Sequence, residues 1–166
     1  MVVIFTNNND AYIQNISELI KSYHVGGIIF SKGNPHRQAK LTNQIQTENK
    51  IPLLIGMDAE WGLAMRLDST YAFPWNMTLG AIRDTAIVRK VGQQIGKHSK
   101  RLGVHMNFAP VADINTNPQN PIIGNRSFGE SEGIVISHSV ALMEGMHDEG
   151  ILTSAKHFPG HGDTQQ

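Results

Sequence analysis

The sequence predicts an α/β fold in which five parallel strands alternate with four helices. Short apolar runs rich in β-branched residues, typical of strands buried on both faces, alternate with segments whose apolar residues recur at helical spacing. The connections that follow the strands include long polar loops, whereas those that precede them are short. Strands and helices that alternate in this way form right-handed parallel crossover units, so the long loops are expected to meet at one rim of the sheet.

The first two strands are predicted at residues 2–5 and 28–30, and the first strand is expected to be buried on both faces. The polar run at residues 7–10 offers several N-caps for the helix between them. Gly26 and Gly27 are expected to end this helix. Its predicted inward stripe consists of Tyr12, Ile16, Leu19, Ile20 and Tyr23.

The second and third helices have clear start signals. Asn34 and Pro35 indicate a cap followed by the first helical position, and Pro52 lies beyond the end of this helix. The core residues of the second helix are expected to be Leu41 and Ile45. The third strand is predicted at residues 53–57, and the third helix starts near Asp84. The inward residues of that helix are expected to be Val88, Val91, Ile95 and Leu102.

The remaining strands are predicted at residues 104–109 and 152–155. The fourth helix precedes the last strand, with Ser127 or Ser131 as its cap. Its predicted buried face consists of Val135, Ser139, Leu142, Met143 and Met146. Residues 58–83 and 110–130 are long loops after strands, and loops of that length in a compact domain are usually functional or disordered. The apolar and aromatic content of the first loop argues against disorder.

Composition excludes several classes of protein. Lys and Arg number 14, and so do Asp and Glu, and no basic stripe or cationic helix favours a nucleic acid or a membrane surface as partner. The absence of cysteine excludes disulfides, thiolate nucleophiles and cysteine-ligated metal sites. No apolar run approaches the ~20 residues of a membrane-spanning helix, and the start shows no signal-peptide pattern, so the compartment is not assigned. Phosphate-binding loops and serine nucleophile elbows are also missing.

Polar residues of catalytic type are concentrated at residues 156–164, K-H-F-P-G-H-G-D-T. Pro159 excludes a helix here, so Lys156, His157, His161 and Asp163 are expected on a tight loop. The loop directly follows the last predicted strand, at the edge where parallel α/β enzymes keep their active sites. The sequence therefore predicts a functional site at this edge.

Asp58, Arg66 and Arg126 lie in the two long loops and are expected to reach the same rim. Asp58 and Arg66 fit two alternatives: a surface ion pair of little energetic value, or a clamp in which the carboxylate accepts sugar hydroxyls and the guanidinium binds other oxygens. Arg126, set among Asn, Ser and Gly, also has two alternatives: it could bind a substrate oxygen, or its segment could merely order a turn before the fourth helix.

A metal site is the other alternative for this rim. Asp58, His105, His157 and His161 could supply ligands in three dimensions. Residues 157–161 have the H-x-x-x-H spacing that, on a helix, would place both imidazoles on one side to bind a metal. The proline and glycine between the two histidines exclude a helix here.

Residues 156–164 closely resemble the K-H-F-P-G-H-G signature of glycoside hydrolase family 3, in its β-N-acetylhexosaminidase branch, whose members remove terminal β-linked N-acetylglucosamine. The resemblance extends along nearly the whole chain, and residues 57–62 keep the Asp and Glu of the branch's D-x-E-G-G form. The other matching stretches are residues 26–30, Asp58 with Arg66, residues 107–113 and residues 126–129.

The resemblance implies a TIM-type (β/α)8 barrel, of which residues 1–166 would form the N-terminal part with about five β/α units. It implies that the sugar in the −1 subsite is contacted by Asp58, Arg66, Arg126, Lys156 and His157. It also implies a retaining reaction with an aspartate nucleophile and a histidine acid/base, both expected beyond Gln166, which leaves His161 and Asp163 as loop scaffold.

These implications lead to an expected function for the full-length protein. A β-N-acetylhexosaminidase acting on cell-wall muropeptides or chitin oligomers is expected, with no cofactor. Five strands cannot close an eight-stranded barrel, so residues 1–166 alone are expected to be inactive and to self-associate through the open edge. The alternatives are a family 3 β-glucosidase, a barrel metallohydrolase and a non-catalytic sugar-binding module.

Overall fold

A five-stranded parallel sheet forms the centre of the structure. The computed structural model describes residues 1–5 and 10–164. Its strands are β1 (Val2–Phe5), β2 (Gly27–Lys32), β3 (Leu54–Met57), β4 (Met106–Asn107) and β5 (Leu152–Thr153). The strands lie side by side in chain order, and each neighbouring pair is parallel. The predicted α/β fold is therefore confirmed, and across the described residues the sheet is open, with β1 at one edge and β5 at the other.

In residues 1–5 and 10–164, five helices and two short 3-10 turns connect these strands. The helices are α1 (Asp10–Tyr23), α2 (Pro35–Glu48), α3 (Asn76–Gly80), α4 (Thr85–Arg101) and α5 (Glu132–Asp148). The 3-10 turns lie at Leu63–Met65 and Gly124–Arg126. Helix α3 was not predicted, because five residues are too few to show a helical period and too few to be stable without tertiary contacts. Such a contact exists, since Asn76 Nδ2 donates to the carbonyl of Arg126 at 2.8 Å.

The start of α2 confirms its predicted cap. Asn34 Oδ1 accepts hydrogen bonds from the backbone N–H groups of His36 and Arg37, at 2.9 and 3.3 Å, and Pro35 is the first helical residue. Asp84 caps α4 in the same way, through the N–H of Ala86 at 2.9 Å. The predicted N-cap run of α1 includes residues 7–9, which lie outside the described part of the chain.

The serine cap predicted for α5 is only partly correct. Ser131 occupies the N-cap position, but its side chain makes no capping hydrogen bond. Ser127 is buried instead in the preceding loop, where its hydroxyl donates to the carbonyl of Asp113 at 2.6 Å. The backbone N–H of Gly129 in turn donates to that hydroxyl at 3.1 Å. Ser127 therefore stabilises the loop that carries Arg126 rather than the helix.

The prediction that β1 is buried on both faces is wrong. Ile4 is fully buried, but Val3 and Phe5 are 46% and 37% exposed. Alternate residues of a strand point to opposite faces, and Ile4 packs with residues of the first two helices, whereas Val3 and Phe5 lie on the other face. The stripe of α1 is also narrower than predicted, since Ile16 and Ile20 are buried whereas Leu19 and Tyr23 are exposed.

The last two strands are shorter than predicted, although their pairing continues beyond the strand ends. The N–H of His105 donates to Ile55 O, and that of Phe108 donates to Met57 O, both at 2.9 Å. These two backbone bonds keep the chain beside β3 both before and after β4. Beyond β5, the N–H of Lys156 donates to the carbonyl of Pro110 at 3.0 Å, so the residues after β3, β4 and β5 reach a common rim.

The core has two parts. One lies between the sheet and the first two helices and contains the predicted Leu41 and Ile45, together with Ile4, Ile20, Ile28, Phe30 and Ile55. The other lies around α4 and α5 and contains Val88, Ile95, Phe128, Val135, Leu142 and Met146. Ser139 is buried as predicted, whereas Val91, Leu102 and Met143 are only half-buried. None of the helices in residues 1–5 and 10–164 combines the length and apolarity that crossing a membrane requires.

Candidate active site

All five predicted sugar-contacting side chains meet at the rim formed by the carboxyl ends of the strands. Asp58 directly follows β3, and Lys156 and His157 follow β5. Arg66 and Arg126 come from the two long loops after β3 and β4. The contacts below join these five residues, with two further carboxylates, into one network.

Asp58 joins two cations at the rim. Its Oδ2 accepts from Arg66 Nη2 at 2.8 Å, and its Oδ1 accepts from Lys156 Nζ at 2.9 Å. Burial alone would raise the pKa of Asp58, but the hydrogen bonds and charges of Lys156 and Arg66 outweigh it and lower the pKa below its usual value. Asp58 is therefore ionised at neutral pH. Its side chain is still 30% exposed, which leaves room for a ligand.

Glu60 lies beneath the rim and was not predicted as a site residue. Its side chain is 1% exposed, and its Oε1 lies 2.7 Å from Lys156 Nζ. Arg126 donates to both of its oxygens, from Nη2 to Oε1 at 2.8 Å and from Nε to Oε2 at 2.9 Å. Burial would raise the pKa of Glu60, but Arg126 and Lys156 lower it. The hydrogen bond to Glu60 in turn raises the pKa of Arg126 against the effect of burial.

Asp113 holds the other end of the network and was also missed as a site residue. Its Oδ2 accepts from His157 Nδ1 at 2.6 Å and from the backbone N–H of His157 at 3.1 Å. Its Oδ1 accepts from the N–H of His161 at 2.7 Å. Because a carboxylate accepts, Nδ1 of His157 carries a proton, and its Nε2 faces Arg126 Nη2 at 3.4 Å. An arginine can only donate, so this contact suits an unprotonated Nε2.

Exposure divides the network into two layers. The five predicted side chains are between 16% and 30% exposed: Lys156, Arg126, His157, Arg66 and Asp58. The carboxylates of Glu60 and Asp113 are both 1% exposed. The partly exposed groups can therefore contact a ligand, and the two buried carboxylates fix their positions.

The charges of the network balance. Asp58, Glu60 and Asp113 supply three carboxylates, and Arg66, Arg126 and Lys156 supply three cations. A set of this kind presents both donors and acceptors to a neutral polyhydroxy compound, whose hydroxyl groups can do both. It does not present the net positive charge that would favour a phosphate.

The structure does not bring the alternative metal set together. His105 lies beside the middle of β3, where its Nδ1 accepts from the N–H of Ile55 at 3.1 Å, away from Asp58 at the rim. In the part of the chain that the structure describes, no three His, Asp or Glu side chains are grouped to hold a metal ion. The rings of His157 and His161 instead pack edge to face, with centroids 5.1 Å apart.

The loop after His157 is held mainly through its backbone. The carbonyl of His161 accepts from Asn120 Nδ2 at 2.6 Å, and that of Gly162 accepts from the N–H of Asn117 at 3.3 Å. Asp163 is exposed. The asparagines of the second long loop therefore support the loop that carries Lys156 and His157.

Comparison with known proteins identifies relatives of this chain. The family model described as the glycosyl hydrolase family 3 N-terminal domain matches residues 2–166. Beta-hexosaminidase A of Pseudoalteromonas piscicida is 38% identical over an alignment of 162 residues, which covers 90% of this chain and 27% of that protein. Beta-hexosaminidase LpqI of Mycobacterium tuberculosis is 32% identical over an alignment of 148 residues, which covers 87% of this chain and 38% of that protein.

A solved structure shows the same likeness in three dimensions. The family 3 beta-N-acetylglucosaminidase of Paenibacillus sp. superposes with a TM-score of 0.85 at 37% sequence identity, over 99% of this chain and 33% of that one. The chain thus spans only about a quarter to two fifths of the length of these relatives. Because the match to the family's N-terminal domain model covers nearly the whole chain and these relatives are hexosaminidases by name, the resemblance predicted from the sequence is confirmed: this chain belongs to glycoside hydrolase family 3.

Proposed function

We propose that the full-length protein is a retaining glycosidase that removes terminal β-linked N-acetylglucosamine, and that residues 1–166 form the N-terminal part of its catalytic barrel. The observation that carries this proposal is the two-layered network at the rim. Five partly exposed polar groups face outward, and two buried carboxylates hold them in place. Its relatives are hexosaminidases by name.

In this proposal the exposed layer binds the terminal sugar. The Asp58 carboxylate accepts hydrogen bonds from neighbouring hydroxyls, while Arg66 and Lys156 donate to sugar oxygens. Arg126 donates with the Nη1 hydrogen that the carbonyl of Ile122 leaves free, and His157 Nε2 exchanges its 3.4 Å contact with Arg126 for a sugar hydroxyl. Charge-assisted bonds of this kind are strong and directional, so they favour one orientation of the ring.

The reacting groups are proposed to come from elsewhere in the protein. A retaining glycosidase needs a carboxylate free to attack the anomeric carbon and a second group to protonate the leaving oxygen. Asp58 is already bonded to two cations, and Glu60 and Asp113 are buried. None of the three is free to act as a nucleophile, and the proposal requires no cofactor.

Substrate choice tests the proposal. The full-length protein is expected to hydrolyse an aryl N-acetyl-β-glucosaminide with a higher kcat/KM than the matching aryl β-glucoside. A reversed preference would favour the β-glucosidase alternative. Sugar binding without turnover would favour a non-catalytic module, and activity that requires stoichiometric zinc would favour a metallohydrolase. The expected natural substrates are muropeptides or chitin oligomers.

We also propose that residues 1–166, produced alone, self-associate and do not hydrolyse the aryl substrate. The sheet has open edges at β1 and β5. Apolar side chains beside them are exposed, including Val3, Phe5 and Leu152 at 46%, 37% and 55%. Open strand edges and apolar patches promote association. Sedimentation of this fragment should show species larger than 18.3 kDa, and an active monomer would contradict the proposal.

A further inference from the structure

The two tryptophans of the sequence, Trp61 and Trp75, belong to the long loop after β3 and pack against each other. Their ring centroids are 4.1 Å apart and their planes meet at 40°. Trp75 is 42% exposed, whereas Trp61 is half-buried. We call this pair the tryptophan platform. It presents one exposed aromatic ring that is supported by a second ring.

The platform is connected to the candidate site through its neighbours in the chain. Trp61 directly follows Glu60, and its carbonyl accepts from the N–H of Phe73 at 3.0 Å. Next to Trp75, Asn76 is 3% exposed and donates to the carbonyl of Arg126 at 2.8 Å. One tryptophan therefore adjoins the carboxylate that orients Arg126, and the other adjoins a residue bonded to the backbone of Arg126.

Packing alone does not explain the platform's exposure. The neighbouring Phe73 shows what a packing role looks like here, since it is half-buried between Tyr71 and His98, with ring centroids 4.9 and 5.6 Å away. Trp75, in contrast, keeps a large apolar surface in water, and the residue after it, Asn76, is bonded to the backbone of Arg126. Exposed aromatic surface beside convergent polar groups is typical of a ligand-binding region.

We propose that the tryptophan platform binds the sugar ring that follows the terminal residue, on the leaving-group side of the scissile bond. This inference rests on the proposed function, because it assumes that the rim binds the terminal N-acetylglucosamine. The polar network would take the hydroxyls of the terminal ring, and the next ring would extend over Trp75. A pyranose has a face rich in C–H groups, which suits the electron-rich face of an indole.

The test compares the terminal sugar alone with a disaccharide. In the full-length protein, the inhibition constant of N-acetylglucosamine reports on the terminal site, and kcat/KM for N,N′-diacetylchitobiose reports on both rings. Trp75→Ala is expected to lower kcat/KM for the disaccharide roughly tenfold, the loss expected for one aromatic stacking contact. The inhibition constant of N-acetylglucosamine is expected to stay within about twofold of the original value.

Two matched variants keep the test specific. Trp75→Phe retains an aromatic face and should preserve most of the disaccharide activity, which also covers the case in which Trp75→Ala does not fold. Tyr71→Ala removes a ring that is 64% exposed on the same segment but packs on Phe73, and it should leave both constants unchanged.

The outcomes separate this inference from the proposed function. Selective loss of disaccharide turnover in Trp75→Ala would support the platform. Equal losses for disaccharide and monosaccharide, or no loss in either, would overturn it while leaving the terminal site intact as a proposal. If the unmodified protein neither binds N-acetylglucosamine nor cleaves the disaccharide, the proposed function fails, and the platform inference fails with it.

Discussion

Glu60 is 2% exposed and lies between two cations, Lys156 and Arg126. Breaking a buried ion pair from one side is costly because the remaining charge stays buried without compensation. Here the remaining charges would be two, and both belong to groups that are proposed to contact the sugar. Glu60 therefore affects both the stability of the protein and the shape of the candidate site.

Glu60→Gln is expected to lower the free energy of unfolding by about 3 kcal/mol at neutral pH, as is typical when one partner of a buried pair is removed. Denaturant titration measures the difference. The matched control is Glu144→Gln, whose carboxylate is 52% exposed in an ion pair with Arg89 and should contribute less than about 1 kcal/mol. Equal effects of the two variants would contradict this account of Glu60.

The stabilising effect of Glu60 should also depend on pH. Its pKa in the folded state is lowered from the ordinary value of 4.5. A group of this kind stabilises the folded state fully above its ordinary pKa and loses that contribution as pH falls through the folded value. The difference between the original protein and Glu60→Gln should therefore be constant above about pH 4.5 and shrink below it. A difference that grows on acidification would contradict the assignment.

Asp113 is expected to act by positioning His157. The Asp113 carboxylate accepts hydrogen bonds from the backbone N–H and from Nδ1 of His157. Asp113→Asn replaces this carboxylate with a neutral amide. The affinity for N-acetylglucosamine should fall roughly tenfold, since hydrogen bonds to charged groups contribute about 1.5–3 kcal/mol. Asp163→Asn changes an exposed carboxylate of the same loop and should have no effect. Unchanged affinity in Asp113→Asn would show that His157 needs no such support.

The exposed and the buried residues of the site differed in how well the sequence predicted them. Asp58, Lys156 and His157 follow apolar runs directly, and that position predicted their place at the rim. Glu60 and Asp113 occupy similar positions, but their roles arise from distant partners. Glu60 binds Arg126, which lies 66 positions along the chain, and Asp113 binds His157, which lies 44 positions along it. Only the fold shows such pairings. Two signals were available for Glu60: its place two residues after Asp58, close to the end of the same strand, and its match to the Glu of the D-x-E-G-G form.

At the scale of elements, α4 and α5 pack closely because glycines lie between them. A Cβ on Gly92 would lie 2.4 Å from the carbonyl oxygen of Leu142, and one on Gly145 would lie 2.1 Å from that of Arg89. Neither neighbour is a flexible side chain, so a side chain at either position would force the helices apart. The close approach of the two helices buries Val88, Ile95 and Leu142 in the part of the core that lies around α4 and α5.

Gly145→Ala is therefore expected to destabilise the protein by about 1–3 kcal/mol, the usual cost of overpacking, although alanine favours a helix. The matched control is Gly133→Ala in the first turn of α5, where a Cβ would meet nothing within 4 Å. This variant should gain up to about 1 kcal/mol from helix propensity. Thermal unfolding of both variants tests the prediction, and stabilisation by Gly145→Ala would contradict the packing.

Helices with a long apolar period were predicted well, and short elements were not. The Asn34–Pro35 start signal and the inward positions Leu41 and Ile45 of α2 reflect local rules that operate within one segment. Helix α3 depends on the contact between Asn76 and Arg126, and the ends of β4 and β5 depend on pairing with neighbouring strands. These features are tertiary, so periodicity within one segment could not predict them.

At the scale of the whole molecule, five parallel strands in chain order bring the loops after β3, β4 and β5 to one rim. The order of elements was sufficient to predict this arrangement, because parallel crossover connections place all carboxyl ends on the same side. The exposure of Val3 and Phe5 was not predicted, since their apolar character suited a strand buried on both faces. That exposure depends on what covers the second face of the sheet.

The central claim is that the rim network binds the terminal sugar of an N-acetylglucosaminide, and Asp58 tests it most directly. The measurement is kcat/KM of the full-length protein for an aryl N-acetyl-β-glucosaminide, in the original protein, in Asp58→Asn and in Asp68→Asn, which changes an exposed carboxylate of the same loop. Losing two charge-assisted hydrogen bonds to the sugar should lower kcat/KM about 100-fold in Asp58→Asn, while Asp68→Asn should match the original protein. If Asp58→Asn folds normally and retains the same kcat/KM as Asp68→Asn, the network does not bind the substrate and the account is wrong.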